Sequence, residues 1–278
     1  MIFSHSFRML AQEGHLASTS LLGGFESLNK VNYDQPGTVY SALFQMTIGL
    51  ERIMKIAWIL NFRLRHDLQN PSDAQLRQLG HSVTNLYRAL EGISDTYDIG
   101  DGWFESGSLH DDVLAFMAEY AKGSRYYNID QLVAGRPNPD PLVRWFNLHL
   151  RIADGALSHS KREGIMDRAR LHCERLGLLG WEMGPRGQYD LTIDVTYQLE
   201  VTRQTRGHCV WIFIELLRPI YSLIERLVRE LHELEQAKGI GNPDVPYMYE
   251  FFPFCLGDRQ TVVRRKAWTT LFVISGRV

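Results

Sequence analysis

The sequence predicts a mainly α-helical protein, because helical periodicity recurs along most of its 278 residues. In several windows the apolar residues return every three to four positions, which is the spacing of one face of an α-helix. Apolar residues make up 45% of the chain and charged residues 22%, values typical of a globular protein with a sizeable core. Strict apolar–polar alternation is found at 191–201, so we expect at most a small β element.

The N-terminal part is expected to begin with a short helix and a turn. Residues 1–35 hold a short helical candidate and then the glycine-containing stretch LLGGFESLNK, which a turn at 34–37 closes. Residues 38–62 give the clearest helical pattern of the chain. Glu51 and Lys55 lie one turn apart in this helix, in the order that favours an ion pair.

Two further helical patterns follow, each with a candidate first residue. Ser72 or Asp73 can cap a helix whose pattern covers residues 74–93. Ser108 has Asp111 three residues later, which is the spacing of a capping box at the start of a helix.

A proline-rich stretch divides the chain. The sequence VAGRPNPDP at 133–141 is its strongest break, so we predict a helical domain at 1–135 and a C-terminal helical region at 136–278. The two parts can still pack as one body. Helical patterns resume at about 142–157 and 161–178.

The C-terminal region is expected to contain one long helix at about 208–237. Pro219 should kink this helix, and the Lys-Gly pair that follows should end it. The alternation at 191–201 fits a strand, but a strand needs a partner, and the only other β-rich stretch lies at 269–274. Strand and helix therefore both remain open for 191–201.

The charge of the chain limits what it can bind. Its net charge is −2 and its pI about 6.6, whereas proteins that grip duplex DNA over a wide face are usually basic. Any contact with nucleic acid should therefore be local. The chain has 24 arginines against 6 lysines. This bias suits bidentate phosphate or carboxylate contacts, and it is also common in arginine-rich proteomes.

Cysteine usage and hydropathy indicate a cytoplasmic protein. Cys173, Cys209 and Cys255 lie far apart, with neither a disulfide framework nor metal-ligand spacing. The first residues are polar where a signal peptide would be apolar, so we expect no signal peptide. The most apolar stretches, at 56–60 and 209–217, are far shorter than the roughly 20 residues of a membrane-spanning helix, so we expect no membrane contact.

The motifs of the common enzyme classes are missing from the sequence. It has no phosphate-binding glycine loop ending in Lys-Ser or Lys-Thr, no dinucleotide fingerprint and no nucleophile elbow. No histidine pair stands with a glutamate in a zinc-protease arrangement. We therefore predict neither a metal nor a cofactor.

One arrangement of helices resembles a known family. A helix with SALFQMTIGLERIMKIAWIL at 41–60 precedes a polar connector and a second helix that opens with GHSVTNLYRAL at 80–90. A further helix ends in FMAEYAKGSRYYNIDQL at 116–132. This order resembles the HEPN domain, a compact helical unit of prokaryotic toxins and phage-defence proteins. The resemblance covers about residues 38–132.

The resemblance implies a possible ribonuclease site. Many HEPN proteins are metal-independent ribonucleases that act as dimers, with an Arg and a His separated by four to six residues at the start of the last core helix. Such a His can move a proton near neutral pH, while the Arg holds the scissile phosphate. The matching segment runs from Arg125, and the His position is occupied by Asp130. An ionised aspartate would repel a phosphodiester and could not donate a proton.

Two functions therefore remain open. The aspartate favours a non-catalytic HEPN-like module of a defence or toxin–antitoxin system, which binds RNA, a nucleotide or a partner protein. The alternative is a metal-independent ribonuclease toxin or effector. In either case the resemblance implies a homodimer or a complex with a partner protein.

Four other residues are candidates for catalysis. His81 can act on a phosphate or a proton, or it can simply bond a neighbouring carboxylate, for which Glu51 is the candidate. Glu51 in turn can line a polar pocket or belong to an ion-pair network between helices. Arg144 and His149 repeat the Arg–His spacing on a predicted helix after the resembling region, although pairs of this kind are expected by chance.

A basic patch near the C-terminus is a candidate for binding nucleic acid. Arg264, Arg265 and Lys266 precede Trp268, and such a group can hold a phosphate and stack a base. The alternative is a solvated face beside a packed tryptophan. The aromatic run YMYEFFPF at 247–254 is expected in the core or at a subunit contact.

Overall fold

The fold is mainly helical with one small β-hairpin, which confirms the predicted class. A computed structural model describes residues 3–99, 102–134 and 139–271. The helices within these ranges are α1 (His5–Leu28), α2 (Pro36–Arg65), α3 (Asp73–Gln78), α4 (Val83–Asp95), α5 (Leu109–Lys122), α6 (Tyr127–Ala134), α7 (Pro141–Ala156), α8 (His159–Leu176), α9 (Thr192–Ala237) and α10 (Arg259–Arg264). Strands β1 (Trp181–Met183) and β2 (Tyr189–Leu191) pair antiparallel between α8 and α9.

The first helix is much longer than the sequence suggested. We expected a short helix followed by a glycine-containing stretch, but α1 continues through Gly23 and Gly24 to Leu28. These glycines lie where α1 packs on α2. A Cβ atom on Gly24 would be 2.5 Å from the Met46 sulfur, and one on Gly49 would be 2.6 Å from the Leu21 side chain. The glycines therefore permit close packing of two helices, which outweighs their low helix propensity.

The helix starts follow local capping chemistry. Ser72 caps α3 through a complete capping box with Gln75. The hydroxyl of Ser108 accepts a hydrogen bond from the Asp111 amide at the start of α5, as predicted. The Asp111 carboxylate accepts from Gly107 instead of returning to Ser108, so this cap is not a reciprocal box.

The long helix begins well before its predicted start. Segment 191–201 divides: Leu191 ends β2, and the remainder belongs to α9, a helix of 46 residues with Pro219 inside it. By length and composition α9 could cross a membrane, but 72% of its most apolar window is buried inside the protein. The second β-rich stretch, 269–274, forms no strand up to residue 271, and its last three residues lie outside the described part of the chain.

One hydrophobic core joins the two predicted regions. Its buried residues include Leu21 and Leu50 of the first region and Trp145, Phe213 and Trp268 of the second. Residues 135–138 of the predicted boundary segment 133–141 lie outside the described ranges. The division into domains at 1–135 and 136–278 stays a prediction.

The aromatic run at 247–254 contributes to this core. Met248, Phe252 and Phe254 are buried there, whereas Tyr247 remains 54% exposed. Nearby, the buried guanidinium of Arg63 binds Asp244 and Asn70, and so ties the end of α2 to the segment after α9.

Candidate functional site

The predicted ribonuclease segment lies on the surface. Arg125 belongs to a 3₁₀ turn, Ser124–Tyr126, and its exposed guanidinium lies 5.0 Å from the ring centre of Tyr126. Asp130 is half-buried on α6. Within the described residues, no hydrogen bond or ion pair joins Arg125 to Asp130.

His81 and Glu51 do meet, in an ion-pair network. The Nδ1 atom of His81 lies 2.8 Å from Oε1 of Glu51, and Nζ of Lys55 lies 2.7 Å from the same oxygen. Burial raises the pKa of Glu51, but the hydrogen bonds from Lys55 and His81 outweigh it and hold the pKa below its ordinary value. These contacts match the structural interpretation of His81 and Glu51. The His81 ring is 79% exposed.

Arg125 is held in a different place from this network. It lies near Tyr120, where its charge partly offsets the rise in the Tyr120 pKa that burial causes. Tyr120 donates a hydrogen bond to the carbonyl of Tyr40 at the start of α2. Tyr40 and Glu51 are eleven residues apart on that helix, a separation of about 16 Å at 1.5 Å per residue. No described contact brings Arg125 to His81 or Glu51.

His149 is a buried link between elements. It is 2% exposed, with its Nδ1 atom 2.9 Å from the Tyr33 hydroxyl and its Nε2 atom 3.2 Å from the Thr205 hydroxyl. Burial, helped by the charge of Arg206, lowers its pKa to about 3. Arg144, on the same helix, pairs with Glu119 instead. The Arg144–His149 spacing therefore does not place the two side chains in one site.

The C-terminal basic patch is divided between core and surface. Trp268 is 2% exposed and packs edge-on against Phe25 at 5.2 Å between ring centres. The Arg265 guanidinium lies 5.1 Å from the Trp268 ring centre. The buried ring has no free face on which a base could stack. Arg264 and Lys266 are exposed.

A groove lined by cationic residues lies between α8, α9 and the loop after α1. Ile165, Ala169 and Cys173 of α8 are buried one turn apart, and α8 packs on α9. This packing leaves Arg168 and His172 at the edge of a cavity of about 520 Å³. The cavity is lined by three arginines, one histidine and two carboxylates: Arg168, Arg203, Arg206, His172, Asp34 and Glu200.

One of these carboxylates is already neutralised. Glu200 binds Arg203 in a bidentate pair, at 2.6 and 2.7 Å, and this hydrogen bonding lowers the pKa of Glu200. Arg206 and Arg168 make no hydrogen bond or ion pair with any described residue. Burial lowers the pKa of Arg206, and the charge of Arg203 adds to this effect. The groove thus holds cationic side chains whose charge is not fully compensated, an arrangement that favours an anion.

The positive charge continues past this groove. Arg168 also lines a neighbouring cavity of about 310 Å³, together with Lys161 and His208. Burial lowers the pKa of His208, and the charges of Arg259, Lys161 and Lys266 lower it further, which places these cations around it. The His208 Nδ1 atom is buried without a hydrogen-bond partner. We call this set the cationic track: Lys161, Arg168, Arg206, His208, Arg259 and Lys266.

The track brings several cations together, whereas many arginines elsewhere in the described part of the chain are each paired with a carboxylate. Pairs such as Arg88–Asp111 and Arg151–Asp112 neutralise many of the other arginines. None of the arginines and lysines of the track forms an ion pair within the described residues. Of the predicted nucleic-acid-binding residues, only Lys266 belongs to the track.

Comparisons with protein-family models, curated proteins and solved structures give no match to this chain. The described residues also contain no group of three or more His, Cys, Asp or Glu side chains placed to hold a metal ion. Any function of this chain is therefore inferred from the geometry of its own residues.

The sequence alone indicated neither the groove nor most of the track. Arg203 and Arg206 are three residues apart on α9, and Arg168 and His172 are four apart on α8, so each pair could have been noticed as one helix face. Only the packing of α8 on α9 shows that these two faces border the same groove.

Proposed function

We propose that this chain is a non-catalytic RNA-binding module that holds RNA phosphates along the cationic track. The observation that carries the proposal is the convergence on one face of cations from α8, α9, α10 and the segment after α10 that form no ion pair with any described residue. Phosphate contacts of this kind need side chains that are accessible and not already neutralised. Because the chain as a whole is slightly acidic, binding is confined to this face.

The spacing along α8 supports contact with more than one phosphate. Lys161 and Arg168 are seven residues apart, which puts them on the same helix face about 10 Å from each other. Arg206 supplies a more buried contact on α9, where a guanidinium can bind a phosphate through two hydrogen bonds. A flexible single strand can follow such an uneven line of cations more easily than a rigid duplex.

This proposal agrees with the first of the two functions that the HEPN-like resemblance left open, a non-catalytic module. That resemblance implies a role in a defence or toxin–antitoxin system. One observation favours the ribonuclease alternative: Arg125 is exposed and has no carboxylate partner among the described residues. That alternative predicts cleavage of RNA without metal and its loss in Arg125→Ala.

The test measures RNA affinity and RNA integrity together. We expect fluorescence anisotropy with a labelled 20-nucleotide single-stranded RNA to show binding by the wild type. Loss of two phosphate contacts in Arg168→Ala/Arg206→Ala should weaken that binding roughly tenfold or more. Arg170→Ala is the matched control, because Arg170 is also exposed on α8 but lies about 200° around the helix from Arg168.

Equal affinity of the wild type and the double variant would contradict the proposed site. Gels of the same RNA, with and without EDTA, should show intact RNA in every lane. Cleavage that persists in EDTA and disappears in Arg125→Ala would support the ribonuclease alternative instead.

A further inference from the structure

The β-hairpin carries its apolar side chains on the outside. Trp181 pairs with Leu191 and Met183 with Tyr189, so these four side chains share one face of the two-stranded sheet. Their exposed fractions are 69% for Trp181, 46% for Leu191, 55% for Met183 and 66% for Tyr189. We call these four residues the apolar hairpin face.

The opposite face of the hairpin is acidic and faces inward. Glu182 and Asp190 pair across the strands and are half-buried, while their apolar neighbours are in solvent. A sheet with one covered face normally turns its apolar side chains toward the protein. The inverted pattern means that the apolar hairpin face has no partner within the described part of this chain.

The exposed apolar area is large for a monomer. Three leucines that directly precede the hairpin in the chain are exposed as well: Leu176 is 59% exposed, Leu178 44% and Leu179 70%. With about 200 Å² for each large side chain, the seven residues expose roughly 800 Å². The largest apolar patch of an ordinary monomer is about 300–600 Å². Each partner of a standard protein–protein interface buries about 800 Å².

We propose that the apolar hairpin face binds the same face of a second copy of this chain. None of its four side chains, nor the three leucines, carries a formal charge, so two identical faces meet without repulsion, as a two-fold interface requires. The area matches what one partner of a stable dimer buries. A polyanion fits less well, because the two strands carry Glu182 and Asp190. This inference does not depend on RNA binding.

A crosslinking experiment can locate the contact, because the three native cysteines are buried. A cysteine introduced on the surface would then be the accessible thiol for a short bis-maleimide reagent. We expect Met183→Cys to form a covalent dimer at micromolar protein concentration. Leu132→Cys is the matched control, since Leu132 is 88% exposed on α6, outside the hairpin, and should remain monomeric under the same reagent. Crosslinking of the control but not of Met183→Cys would overturn the proposal.

A dilution series tests the same interface without a label. Light scattering should show a wild-type dimer, and Trp181→Glu should raise its dissociation constant roughly 30-fold or more, because a charge replaces a central aromatic anchor. Leu132→Glu should leave the dimer unchanged, and circular dichroism should show helical content equal to wild type in both variants.

Three outcomes overturn the proposal. These are a wild-type monomer at every concentration, a Trp181→Glu dimer as stable as the wild type, and a Trp181→Glu variant that loses RNA affinity without changing its oligomeric state. The last outcome would assign the face to RNA.

Discussion

At the scale of single residues, burial decides what a histidine can do. His81 and His149 were both candidates for catalysis, yet the first is mostly in solvent and the second is enclosed between α7, α9 and the loop after α1. The buried ring stays neutral and connects two hydroxyl groups. The structural role of His149 follows from the residues around it, and the residue type alone does not reveal that role.

The buried His149 should make stability fall in acid. Its pKa is about 3 in the folded protein against 6.5 for an ordinary histidine, so below pH 6.5 the unfolded chain binds a proton that the folded chain refuses. The stability present above pH 6.5 is therefore lost as the pH falls toward 3, by up to about 1.4 kcal/mol per pH unit.

Urea unfolding at pH 7 and pH 5 checks this prediction. His149→Gln keeps hydrogen-bonding groups but has no proton to gain, so its free energy of unfolding should change less between the two pH values than that of the wild type. His159→Gln removes a histidine that is 89% exposed and should behave like the wild type. An identical pH dependence for wild type and His149→Gln would contradict the assignment.

At the scale of secondary-structure elements, glycines mark where helices approach each other closely. Gly207 of α9 is the clearest case, because a Cβ atom there would lie 2.1 Å from the carbonyl oxygen of Val263 on α10. The neighbouring atom is backbone and cannot rotate away. This contact fixes α10, and with it Arg259 of the cationic track, against α9.

Gly207→Ala should therefore loosen α10 from α9. We expect a loss of about 1–3 kcal/mol in the free energy of unfolding, the usual effect of an overpacked contact. Gly92→Ala on α4 is the matched control: nothing lies within 4 Å of its Cβ position, and the better helix propensity of alanine should stabilise the protein by up to about 1 kcal/mol. Denaturant unfolding of both variants checks the opposite signs, and a stabilised Gly207→Ala would contradict this account.

At the scale of the whole molecule, charge is distributed unevenly. The chain has a net charge of −2, yet five cations that form no ion pair within the described residues lie on the face formed by α8, α9, α10 and the segment after α10. From the sequence we expected any nucleic-acid contact to be local and predicted it at Arg264–Trp268, whereas the proposed track lies mainly elsewhere. In the structure, Trp268 is core and Lys266 alone joins the track.

The affinity for RNA should depend steeply on salt. Release of counterions from about five phosphates predicts that the logarithm of the affinity falls with the logarithm of salt concentration with a slope of about −3.5 for a single strand. Anisotropy titrations at salt concentrations between about 50 and about 300 mM measure this slope. The Arg168→Ala/Arg206→Ala variant should reduce the magnitude of the slope by about 1.4. A slope near zero would exclude phosphate contacts as the source of binding.

The sequence by itself determined the features that depend on neighbouring residues. These are the helical class, a helix cap at Ser72 or Asp73 and the pair Glu51–Lys55, because each follows from the backbone and side chains within a few positions. The same reasoning from neighbouring residues predicted too early an end for α1. Gly24 is explained by its close contact with Met46 of α2 and not by a turn at that point of the chain.

Only the tertiary structure decided which distant residues share a surface. The cationic track joins residues from Lys161 to Lys266, and the burial of Trp268 and His149 depends on elements far away in the chain. The orientation of the apolar hairpin face also could not be predicted from the sequence. Alternation shows that a strand has two faces, but it does not show which face packs against the core. Packing makes that choice, and packing is set by contacts between residues that are remote in sequence.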